Sequence, residues 1–294
     1  VPEFIGKLGV KKALIVTDQG LVKVGTVKMV TDVLDAHGLA YEIYDKVLPN
    51  PSVAIVNEST AMYKEKGCDY LIGVGGGSPI DVAKAISILT ANGGKIEDYD
   101  GLSKSKKAGS PIIAINTTAG TGSEVTRAYV VTDEVRKAKM LMVDGNSLAY
   151  LAVDDPELMV GMPPALTAAT GMDALTHAIE GYVANEANPY SDAIAIKAIS
   201  LIGKSLRTAV NEGTNIEART DMCWAAYMGG FAFSNSGLGI VHAIAHQLGG
   251  VYNTPHGLAN AILLPHGMEF NRPYCVERMA DIAAALGVDT SNMT

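Results

Sequence analysis

The chain has 294 residues, 48% hydrophobic and 18% charged, with a formal net charge of -8 and a pI near 5.2. That is enough chain to bury a large core and to form two domains, and its acidic balance excludes a nucleic-acid partner, which would call for a basic surface. No apolar run approaches the ~18 residues of a membrane span, the opening residues show no basic-then-apolar leader pattern, and Cys68, Cys223 and Cys275 are scattered without a C-x-x-C pair. Together these predict a cytoplasmic protein with reduced thiols and no membrane partner.

Short apolar runs alternate with helical patterns from Lys11 to about Val160. "KKALIVTD" (Lys11–Asp18) reads as a buried strand, "VGTVKMVTDVLDAHG" (Val24–Gly38) as a helix closing on Gly38, and "LAYEIYD" (Leu39–Asp45) as the next strand. "VAIVNESTAMYKEKG" (Val53–Gly67) is a helix. "CDYLIGVGGGS" (Cys68–Ser78) is a buried strand, followed by a helix over "PIDVAKAISILTANGG" (Pro79–Gly94) with proline in its first position. "SPIIAINTT" (Ser110–Thr118) is one more strand. This order predicts an α/β domain with a parallel sheet covered on both faces, spanning 1–161. Near Met162-Pro163-Pro164 the strand signals fade and Ala-rich helical segments follow, predicting an all-helical domain over 162–294.

"GVGGGSPID" (Gly73–Asp81) joins a strand to a helix. Consecutive glycines let the backbone approach a phosphate, and a helix N-terminus offers N–H groups and partial positive charge. The motif is neither G-x-G-x-x-G nor a Walker A sequence, and a glycine triplet alone marks a tight turn more often than a phosphate site. A second loop, "NTTAGTGSE" (Asn116–Glu124), also follows a strand, and two such loops would flank one crevice at the C-terminal edge of the sheet. Asp18, at the end of the first strand, reads either as an acceptor for ribose hydroxyls or as a helix N-cap.

In "GMDALTHAIEG", Asp173 and His177 are four apart on a helical pattern; His242 and His246 repeat that spacing, and His256 follows on a Thr-Pro turn. These five candidates could fill a four-ligand site, and imidazoles with one carboxylate suit Fe(II) or Zn(II) rather than calcium or magnesium. "HAIAH" is not a zinc-protease motif, because Ala243 stands where the general-base glutamate is needed. Glu180 reads as solvated or as a support for a ligand. Phe233 and Met162 read as pocket lining or as ordinary core.

The strings "GGGSPID", "TTAGTGSE", "GMDALTHAIEGYV", "GLGIVHAIAHQLG" and "NTPHGLANAILLPH" occur in the order found in the iron-containing (group III) alcohol dehydrogenases, and the chain strongly resembles that family over nearly its whole length. The resemblance implies a dehydroquinate-synthase-like fold, with the site in the cleft between an α/β and a helical domain. It implies metal ligands Asp173, His177, His242 and His256, with His246 beside the metal as a proton-relay or positioning group. Gly75, Gly76, Gly77 and Ser78 would hold the NAD diphosphate. Thr117, Thr118, Thr121, Asn50 and Lys139 would line the cofactor, with Asp18 favouring NAD over NADP. Expected partners are a small alcohol or aldehyde and further copies of the chain in a homodimer or larger assembly. Family members usually have a further strand segment before "KLGVKKALIV" and continue past "ALGVDTSNMT" with more helices, so the expectation is either of a chain truncated at its C-terminus or of one part of a longer sequence. The rival readings are a glycerol-dehydrogenase-like polyol oxidoreductase, a dehydroquinate synthase (disfavoured by the few basic residues near the ligand motifs), and a non-catalytic NAD- or metal-binding protein.

Overall fold

A computed structural model describes residues 1–290; the "SNMT" ending lies outside them. The chain divides into two compact units, one formed by Val1–Thr117 with Ser123–Val153, the other by Thr118–Gly122 with Asp154 onward.

The first unit opens with α1 (Pro2–Leu8), β1 (Lys12–Val16), α2 (Gln19–Lys23), α3 (Thr26–Ala36), β2 (Ala40–Tyr44), α4 (Val53–Glu65), β3 (Tyr70–Gly75) and α5 (Gly77–Asn92). It continues through β4 (Gly101–Leu102), β5 (Ile112–Asn116), β6 (Ala128–Asp133), β7 (Ala138–Val143) and β8 (Leu151–Asp154). A five-stranded sheet runs in the order β2-β1-β3-β5-β8, and β1 pairs parallel with β2 and β3, as β3 does with β5. β3 and β5 are buried throughout, whereas edge strand β2 is half-buried. Continuous apolar runs such as "LIGV" suit strands covered on both faces.

Three features depart from the sequence expectation. The helix expected over Val24–Gly38 forms as α3, with Gly25 (φ 87°) at its N-cap and Gly38 following it in the left-handed region, but the short α2 just before it was not expected. The helix expected from Pro79 begins at Gly77, so part of the glycine triplet is its first turn. A second sheet, ordered β4-β7-β6, contains an antiparallel β6–β7 hairpin. β6 alternates half-buried and buried residues, so it lacks the unbroken apolar run that marks the central strands. α5 touches both sheets and is buried almost all round from Pro79 to Leu89.

The second unit is built from α6 (Pro164–Val183), α7 (Pro189–Asn211), α8 (Ile216–Ser236), α9 (Ile240–Tyr252), α10 (His256–Asn271) and α11 (Val276–Ala285). Small residues (Ala174, Ala178, Ala195, Ala198, Ala225 and Ala226) are fully buried where α6, α7 and α8 pack together. Buried Arg219 donates to the carbonyls of Gly213 and Met162 and to Oγ1 of Thr167, tying the start of α6 to α8. Among the described residues no helix is long and apolar enough to cross a membrane, and none of Cys68, Cys223 and Cys275 is in a disulfide.

Candidate metal centre and cofactor turn

The cluster starts on α6. Asp173, His177 and Glu180 occupy positions i, i+4 and i+7, one face of the helix. Every residue from Asp173 to Tyr182 is buried, because α7, α8 and α10 pack around this helix. α9 adds His242 and α10 adds His256.

One donor atom from each of Asp173, His177, His242 and His256 lies within 4.8 Å of the others. Oδ1 of Asp173 is 3.4 Å from Nε2 of His256, 3.7 Å from Nε2 of His242 and 4.0 Å from Nε2 of His177. His256 is not on a loop, as its Thr-Pro neighbours suggested, but is the first residue of α10, with Pro255 at the cap position. Proline fixes the backbone just ahead of the helix, so the turn delivers the histidine already in a helical conformation. Gly257 is needed beside it: a β-carbon there would sit 2.2 Å from the Ala169 carbonyl oxygen of α6.

Asp173 and Glu180 are buried carboxylates whose ion-pair partners, among the described residues, are histidines. Burial alone would raise Asp173, but His177, His256 and His242 hold it far below the usual carboxylate range. Burial depresses His177 to about 4. For His242, burial is outweighed by hydrogen bonding to Asp173 and Glu180, which lifts it to about 9. Two buried carboxylates, paired among the described residues with histidines rather than with Lys or Arg, and three imidazoles make a donor set that fits a divalent transition metal.

His246 lies at the border of this cluster, its ring centroid 5.2 Å from that of His256 and 6.1 Å from that of His242. Sequence reasoning missed Asn260, one turn after His256 and fully buried, whose Nδ2 donates to Oδ1 of Asp173 at 2.6 Å. Phe233 stacks on the His177 ring at 4.5 Å between centroids, whereas Met162 is a core residue of the helical unit.

In the first unit, β3 ends on Gly75, Gly76 is the cap residue of α5, and Gly77 and Ser78 form its first turn. Thr117 N donates to Gly75 O at 3.0 Å, joining the ends of β3 and β5. Asp18, just past β1, is the N-cap of α2 and accepts from Leu21 N at 3.0 Å. Parallel pairing puts these strand ends on one edge of the sheet. Asn50 has φ 55°; next to it Pro51 O accepts from Thr132 N, and Thr132 faces Lys139 across the β6–β7 ladder. Thr118 and Thr121 belong to the second unit.

Two more residues on α5 were not singled out from the sequence. Lys84 is fully buried, and its ammonium donates to the carbonyls of Ser123 (2.7 Å), Thr126 (2.8 Å) and Ala128 (2.7 Å). Asp81 accepts from Oγ of Ser123 at 2.7 Å and from Val130 N at 3.0 Å. The helix that opens on the glycine turn therefore also grips the end of the second loop and the residues that follow it. A buried Lys in an apolar helix has no sequence signature beyond its presence.

A parallel sheet with a glycine turn at its carboxyl edge, and a helical unit carrying a largely buried cluster of three histidines and one carboxylate, are the parts a metal-dependent, dinucleotide-using enzyme needs. The comparisons agree. The profile of iron-containing alcohol dehydrogenase matches residues 1–156, and that of the Fe-containing alcohol dehydrogenase family, C-terminal, matches residues 167–294. The chain is 50% identical over 283 residues to alcohol dehydrogenase 4 of Schizosaccharomyces pombe, covering 96% of this chain and 67% of that protein. It is 48% identical over 288 residues to the NAD-dependent methanol dehydrogenase of Bacillus methanolicus, covering 98% and 75%. The solved structure of a 1,3-propanediol oxidoreductase superposes with a TM-score of 0.97 at 46% identity, covering 100% of this chain and 77% of the other. The chain belongs to the iron-containing alcohol dehydrogenase family.

Proposed function

We propose that this chain is an NAD-dependent oxidoreductase that interconverts short primary alcohols or diols with their aldehydes, using iron held by Asp173, His177, His242 and His256. The observation that carries the proposal is the convergence of those four donor atoms within 4.8 Å. Zinc would accept the same donors; the family's description favours iron. Bound there, the ion's chemistry is Lewis acidity towards the substrate oxygen, and that of the nicotinamide is hydride transfer.

The chain's own residues have distinct tasks. Gly75, Gly76, Gly77 and Ser78 bring backbone N–H groups of the α5 N-terminus to the cofactor diphosphate. Thr117, Thr118, Thr121, Asn50 and Lys139 add polar contacts to the cofactor. One oxygen of Asp18 caps α2, and its negative charge disfavours a 2′-phosphate, so NAD is preferred over NADP. His246, at the edge of the cluster, passes the alcohol proton towards solvent. A homodimer or larger assembly rests on the family resemblance, and a cytoplasmic setting on cysteines that form no disulfide among the described residues.

The test is absorbance at the NADH band with a panel of primary alcohols, diols and glycerol, alongside elemental analysis of anaerobically purified protein. Short primary alcohols or diols are the expected substrates, with iron present. His256→Ala is expected to lose metal and turnover together. Full turnover by a metal-stripped His256→Ala protein would refute the ligand assignment.

A further inference from the structure

Glu180 is fully buried, and both of its oxygens are engaged at the start of α9. Oε1 accepts from Val241 N at 2.7 Å; Oε2 lies 2.5 Å from Nδ1 of His242 and 3.3 Å from His242 N. Gly239 makes this approach possible, because a β-carbon there would stand 2.7 Å from Oε1. One carboxylate thus meets the positive end of the helix that carries His242 and the ring of His242 itself.

We propose that Glu180 is a positioning residue for the metal centre: it holds the proton on Nδ1 of His242, so that the nitrogen left to give up its proton to a metal is Nε2, the one beside Asp173, His177 and His256. The inference rests on the reading of those residues as ligands. An imidazole can ligate through Nε2 only when its proton sits on Nδ1, and a carboxylate accepting from Nδ1–H selects that form. The two facing donors, Val241 N–H and His242 Nδ1–H, need two acceptors. Glutamate supplies both; glutamine supplies one acceptor and one donor and must abandon one of them.

The probe is Co2+ alone, titrated against a chelator and followed by its visible absorption. Glu180→Gln is expected to bind Co2+ roughly 10–100-fold more weakly than wild type, with its helical circular dichroism retained. Gly239→Ala, which pushes the carboxylate off the helix start without removing it, is expected to weaken Co2+ binding too, and reads the same contact should Glu180→Gln fail to fold. Asn215 caps α8 by accepting from Ala218 N, remote in sequence from the ligands; Asn215→Ala controls for a lost helix cap and is expected to lower stability with no change in Co2+ affinity. Wild-type Co2+ affinity in Glu180→Gln and Gly239→Ala, while His256→Ala loses the ion, would overturn the role of Glu180. Wild-type affinity in His256→Ala would instead overturn the metal centre itself.

Discussion

Replacing Lys84 by methionine isolates the clamp between α5 and the Ser123–Ala128 segment. Methionine keeps most of the aliphatic volume but removes a buried ammonium that donates to three carbonyls at 2.7–2.8 Å. Each carbonyl left without its donor costs about 1–3 kcal/mol, and Asp81, whose charge acts on the same ammonium, loses that nearby cation. These contributions overlap, so the expected loss is ~3–5 kcal/mol, a large share of a typical domain's ~5–15 kcal/mol. Urea unfolding at unchanged m reads it directly. Adding Asp81→Asn should cost less in the Lys84→Met background than in wild type, since the carboxylate there has lost its cation. The segment held by Lys84 begins at the end of the loop that carries Thr117, Thr118 and Thr121, so NADH should also bind more weakly by fluorescence titration, with metal content unchanged. The pH dependence is specific. Burial lowers Lys84 to about 8, against 10.5 for an ordinary lysine. Between those values the unfolded chain binds more protons than the folded one, so this residue makes stability rise with pH across that window, by ~3 kcal/mol at most. The Lys84→Met protein should lack that rise. A variant within about 1 kcal/mol of wild type, with the same pH dependence, would refute the clamp.

Three further outcomes follow from the geometry. Gly257→Ala forces a β-carbon against the Ala169 carbonyl; it should cost about 1–3 kcal/mol and weaken Co2+ binding although no ligand changes, and chelator competition checks both effects against wild type. His246→Ala should retain its metal by elemental analysis while its pH–rate profile changes; an unaltered profile removes His246 from the proton path. Asp18→Gly should relax the NAD preference towards NADP, and an unchanged ratio of kcat/KM for the two cofactors would leave Asp18 as a helix cap alone.

The sequence by itself determined the elements whose burial is continuous or strictly periodic. β1, β3 and β5 are runs of apolar residues because both faces of a central parallel strand are covered, and the switch to helices near Met162 is written in composition. Helical spacing by itself puts Asp173 and His177 on one face. The β6–β7 hairpin stayed unread because its half-buried, charge-bearing strands need a partner before their pattern has meaning. Tertiary structure alone decided that α6, α9 and α10 bring their donors together, that His256 begins a helix, and that Glu180, Asn260, Asp81 and Lys84 face inward. The physical reason is that spacing along one helix fixes which side chains share a face, whereas what that face meets depends on contacts between residues far apart in the chain. Glu180 and Asn260 lie 62 and 87 residues from the partners they hold, and no local pattern records such a pairing.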